Sequence, residues 1–156
     1  MISSNEKELR LEQLMPLMRE SLAAGNSVRF APRGTSMLPM LRQGKDSVEL
    51  SPINGRLKKY DLPLYQRDNG QYVLHRIVDV GETYTCVGDN QFELECGLRH
   101  EQMIGVVTVF YRGERAHRAD ALSHKIYCRY WHYSRPIRRY WRAIKYKAAK
   151  IVRGRR

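Results

Sequence analysis

No stretch of these 156 residues approaches the run of about 20 apolar side chains that a membrane-crossing helix needs; the longest uncharged segments, such as 102–111, reach about half of it. The opening residues do not follow the basic, apolar, small order of a secretory signal, because 5–20 are dotted with Glu, Lys and Arg. Cysteine is scarce. Cys86, Cys96 and Cys128 form an odd set without CxxC or Cys/His ligand spacing, which offers neither a disulfide framework nor a zinc site and favours a reducing compartment. These absences predict a cytoplasmic protein whose membrane contact is at most peripheral, with no metal or other cofactor.

Acid is missing from one part of the chain. Residues 1–120 carry 16 Lys/Arg and 16 Asp/Glu, whereas 121–156 carry 12 Lys/Arg and no acid, so the net charge of +12 belongs to the tail. A neutral body with a basic tail predicts a catalytic or binding core tethered to something anionic, rather than a domain that grips nucleic acid over its whole face.

With 42% apolar residues, the chain suffices for one compact core plus an appendage. Residues 5–24 predict a helix with Leu9, Leu14, Leu17, Met18 and Leu22 near one stripe and Gly25-Asn26 as its stop, kinked or split at Pro16. Short strand-like runs follow at 27–31, 47–50, 62–66, 71–80, 84–87 and 104–111, bounded by turn formers. Asp68-Asn69-Gly70 predicts a hairpin joining 62–66 to 71–80, with His75 in mid-strand. Residues 119–156 return to helical spacing in two pieces, with Ser134 as a candidate cap and Pro136 as a helix start. The fold class expected is mainly β with helices at both ends: a helix in 1–26, a small coiled β-domain over 27–113 and a basic, aromatic helical tail over 114–156.

Three segments bear chemistry. Gly34-Thr35-Ser36-Met37-Leu38-Pro39 sets a serine in a turn after a strand. A serine hydroxyl is a poor nucleophile until a base takes its proton, and His75, within Leu74-His75-Arg76-Ile77-Val78, is a candidate base. Gly88-Asp89-Asn90 offers a carboxylate able to orient an imidazole, although a turn aspartate bonding its own backbone accounts for it equally well. Lys58 and Lys59 are an alternative base in a polar, turn-like stretch.

Taken in order, Ser36-Met37-x-Pro39, Tyr60-Asp61, His75-Arg76, Gly88-Asp89-Asn90 and Ile104-Gly105-Val106-Val107 resemble the type I signal peptidases and the related self-cleaving repressor peptidases. Bacterial members have lysine where this chain has His75, so the resemblance is to the histidine, endoplasmic-reticulum type. It implies a small coiled β-fold and a serine peptidase cutting after small residues in a leader or signal-like peptide. It makes Ser36 the nucleophile, His75 the base and then the acid, and Asp89 the orienting carboxylate. Backbone around Gly34, Thr35, Ser36 and Met37 would hold the oxyanion. The chain departs from the pattern in having Gly34 where a serine is usual, Tyr60 before Asp61, and no visible anchor.

In the tail, Leu122, Ile126, Tyr130 and Tyr133 mark one apolar stripe; Ile137, Tyr140, Trp141, Ile144, Ala148 and Ile151 mark the next. Aromatic residues interleaved with Arg and Lys suit an anionic membrane surface, with Arg138, Arg139, Trp141, Arg142 and Lys145 as contacts. Nucleic-acid binding, and plain packing of the apolar stripe on the body, are the rival readings. For the whole protein the rivals are a regulator that cuts itself, with Ala23-Ala24-Gly25 as a candidate step, and an inactive peptide-binding module.

Overall fold

The computed structural model describes residues 11–153, and the backbone alone for Glu12 and 148–153. Leu9 and the first turns of the predicted N-terminal helix, together with the Ala148 and Ile151 side chains, lie outside that description. The protein is mainly β, with one helix before the strands and two after them.

Helix α1 (Leu11–Ala23) runs through Pro16 without being divided. Met15, Met18 and Leu22 are its buried positions and Leu17 is exposed, so the inward face is rotated from the expected stripe. Strands β1 (Val28–Phe30), β2 (Asp46–Ser51), β3 (Pro63–Gln66), β4 (Tyr72–Leu74), β8 (Met103–Arg112) and β9 (Arg115–Arg118) form one sheet. Its order is β1-β2-β8-β3-β4, with β9 paired to β8. Strands β5 (Arg76–Val80), β6 (Tyr84–Val87) and β7 (Glu95–Leu98) form a second, smaller sheet.

Alternation explains how the two sheets share one body. Successive side chains on a strand point to opposite faces. On β3, Leu64 therefore enters the core built with Met15, Met18, Leu22, Val48 and Leu50, while Tyr65 enters the other core with Ile77, Tyr84, Cys86 and Leu98. The first sheet is thus buried on both sides around β3.

The expected hairpin at Asp68-Asn69-Gly70 forms, with Leu64 opposite Leu74 and Gly70 at a φ of 87° that glycine adopts readily. The predicted strand over 71–80 does not run unbroken. Leu74 belongs to the first core and Ile77 to the second, so the chain leaves one sheet at β4 and joins the other at β5. His75 stands at that switch, not in mid-strand. Two short strands, β7 and β9, were not expected; β9 adds to the sheet residues that the sequence grouped with the tail.

Helices α2 (Leu122–Tyr133) and α3 (Arg135–Arg153) meet at Ser134, as the sequence predicts. Ser134 itself is helical there and its hydroxyl donates back to the Trp131 carbonyl, so it does not cap α3. Among the described residues, no helix is long and apolar enough to cross a membrane.

Candidate active site

The switch from sheet to sheet places His75 in a seam, 3% exposed. Its Nδ1 lies 3.0 Å from Glu95 Oε1 and 3.3 Å from the Tyr65 hydroxyl. A carboxylate only accepts, so Nδ1 carries the proton and Nε2 keeps its lone pair. Nε2 has no hydrogen-bond partner among the described residues, and the imidazole lines a cavity of about 220 Å³ that Ser36 also lines. No hydrogen bond joins Ser36 to His75, although both line that cavity.

Glu95 is the residue that sequence reading missed. It opens β7 and is paired by Arg67, whose Nε donates to Oε2 at 2.8 Å and whose Nη2 donates to Oε1. Burial raises the Glu95 pKa, but the Arg67 hydrogen bonds and nearby positive charge outweigh it, leaving Glu95 below the usual carboxylate range. Its local sequence, Glu93-Leu94-Glu95-Cys96, carries no signal for this role; only the register of β7 on β6, with Cys86 opposite Glu95, brings it to His75. Burial pushes His75 below its ordinary value of 6.5, with Glu95 opposing that shift, so the ring is neutral at neutral pH.

Asp89, expected to orient His75, does something else. It is fully buried in a two-pronged ion pair with Arg76, Nε to Oδ1 at 2.9 Å and Nη2 to Oδ2 at 2.8 Å. The Tyr127 hydroxyl donates to Oδ2 at 3.1 Å, and Trp131 Nε1 and Arg138 Nη1 both donate to the Asp89 carbonyl. Arg76 also donates to Cys128 Sγ at 2.9 Å and approaches His124 Nε2. Burial and the neighbouring Arg76 charge hold His124 near a pKa of about 4, so it faces the guanidinium as a neutral ring. Asp89 is therefore the anchor of α2 and α3.

The same turn supports the serine. Asn90 N–H donates to the Ser36 carbonyl at 2.7 Å and Asn90 Nδ2 to the Thr35 carbonyl at 3.1 Å. A Cβ on Gly88 would stand 2.6 Å from the Ser36 carbonyl oxygen, a backbone atom that cannot yield, so the close approach requires glycine. Gly34, expected among the oxyanion donors, spends its N–H on Gln43 Oε1 at 2.8 Å. The N–H groups of Thr35, Ser36 and Met37 make no hydrogen bond among the described residues. Lys58 and Lys59 line a separate groove, beside Tyr60 and α2, and do not reach the serine cavity.

The tail docks in an unexpected way. Arg138 and Arg142 donate to the carbonyls of Asp89 and Asn90, so two predicted membrane contacts are committed to the body. The apolar stripe that plain packing would bury is exposed: Ile137, Tyr140 and Trp141 are each more than half accessible. An arginine face turns inward because backbone carbonyls accept its hydrogen bonds at the buried Asp89 turn.

No protein-family model, curated protein or solved structure matches this chain.

Proposed function

We propose that this protein is a serine endopeptidase of the signal-peptidase type, with Ser36 as nucleophile, His75 as base and Glu95 as the carboxylate that orients it. The supporting observation is a buried histidine whose Nδ1 is held by a carboxylate, while its unpaired Nε2 belongs to a ring sharing a cavity with a serine whose hydroxyl makes no hydrogen bond among the described residues. Ser36 Oγ attacks the scissile carbonyl carbon as its proton passes to His75 Nε2, and the free N–H groups of the serine turn stabilise the oxyanion. Collapse breaks the C–N bond, His75 returns the proton to the leaving amine, and water repeats the cycle on the acyl-serine ester.

Strand β4 is the outer strand of its sheet and leads directly into His75. The cavity lies between that edge, Tyr72, Val73 and Leu74, and the segment Pro32, Arg33 and Gly34. An extended peptide adding to β4 would carry its scissile bond past Ser36.

An Ala-x-Ala peptide is expected to be cut by the wild type and left intact by Ser36→Ala. Because His75 must be neutral to accept a proton and burial holds its pKa down, kcat/KM should fall with acidification at a midpoint below 6.5. A midpoint above that value would contradict the assigned base.

We further propose that the exposed face of the tail rests on an anionic membrane surface. Tyr130, Ile137, Trp141 and Ile144 are exposed and recur at helical spacing, with exposed Lys145 nearby. Each basic residue at such a surface contributes on the order of 1 kcal/mol. The protein should sediment with phosphatidylserine-containing vesicles and less well as Trp141→Ala; equal sedimentation with neutral vesicles, or none, would contradict this docking.

A further inference from the structure

Ser36 borders two depressions. One is the cavity beside β4; the other adjoins it through Arg67 and Gln91 and is lined also by Asn90, Phe92, Leu94 and Arg142. Phe92 and Leu94 also line a third depression next to it, walled by Tyr133, Pro136, Tyr140 and Ala143. These last residues recur every three or four positions, so they form one face of α3 and the end of α2, distinct from the docked Arg138/Arg142 face and from the outer Ile137/Trp141 face. The result is a trough that begins at the serine and ends in an apolar, aromatic pocket built by the tail.

The pocket carries positive charge in its wall: Arg135 and Arg139 both line it. Apolar walls between two guanidinium groups match an apolar side chain with an acidic neighbour.

We infer that the trough is an extended substrate site, in which the tail pocket captures an apolar residue flanked by an acidic one, on the side of the scissile bond away from β4. This rests on the peptidase reading for its occupant, since continuity with the serine is what identifies the bound chain as substrate. In this arrangement the bond cut is chosen by a second contact several residues away.

The test uses fluorescein-labelled Ala-Lys-Ala peptides, bare or continued on either side through a Gly-Ser spacer to Glu-Leu-Phe, titrated against the Ser36→Ala protein by anisotropy. One of the two extensions should tighten binding at least about tenfold. Tyr140→Ala, Phe92→Ala and Arg135→Gln should each remove most of that gain, while Trp141→Ala on the outer face should leave it. No gain from either extension would overturn the proposal, as would an equal loss in Trp141→Ala, which would mean general adhesion to the tail. Because anisotropy needs no turnover, a wild type that binds the extended peptide and never cuts it keeps the trough and discards the peptidase.

Discussion

Asp89→Ala is expected to destabilise the protein by about 3–5 kcal/mol, because it strands the Arg76 guanidinium in a site where the side chains of the pair are 2% and 0% exposed. Two charges removed from water are tolerated only together. The loss also takes the acceptor of the Tyr127 hydroxyl and loosens the turn whose carbonyls hold Trp131, Arg138 and Arg142. Urea titration should show the drop in midpoint, and limited trypsin digestion should cut α2 and α3 sooner. Tyr127→Phe, which removes one hydrogen bond and no charge, should cost about 1 kcal/mol. If Asp89→Ala instead kept full stability and lost only activity, Asp89 would return as the acid that orients His75.

Glu95→Gln should separate chemistry from folding in the opposite sense. Glu95 serves Arg67 and His75 with two carboxylate oxygens, whereas glutamine has one acceptor. With that oxygen on Arg67, the amide N–H₂ faces His75 Nδ1 and drives the proton to Nε2, the wrong tautomer for a base. By analogy with the amide substitution in a Ser-His-Asp triad, a loss of about 10²- to 10⁴-fold in kcat/KM is expected. Arg67 and Glu95 are partly exposed, so the stability change should stay within about 1 kcal/mol. Activity within threefold of the wild type would remove Glu95 from the site.

Much of this arrangement was legible in the sequence because local rules fixed it. Asp68-Asn69-Gly70 between two β-rich runs specifies the β3–β4 hairpin, and the run at 84–87 coincides with β6. The break at His75 was not legible, since apolar residues on both sides of a histidine read the same whether they serve one core or two. Leu74 and Ile77 serve two. Glu95 stayed hidden for a related reason: its role depends on strand register across a return of the chain, and no residue near it announces that pairing.

The tail shows the limit of periodicity most clearly. Its apolar stripe was visible, and burial of that stripe is the ordinary consequence. Here the buried turn at Asp89 presents backbone carbonyls, and arginine reaches them with hydrogen bonds that no apolar side chain can make. The Gly88-Asp89-Asn90 motif was found by sequence; that it clamps the serine turn with Asn90 and the tail with Asp89 is a fact of packing.

Activation of Ser36 by His75 can be read with a fluorophosphonate, the adduct being mapped by mass spectrometry in the wild type, His75→Ala and Glu95→Gln. An adduct on Ser36 should form in the wild type, and at least about 10²-fold more slowly in both variants. No adduct on Ser36, or one that forms as fast without His75, would contradict it.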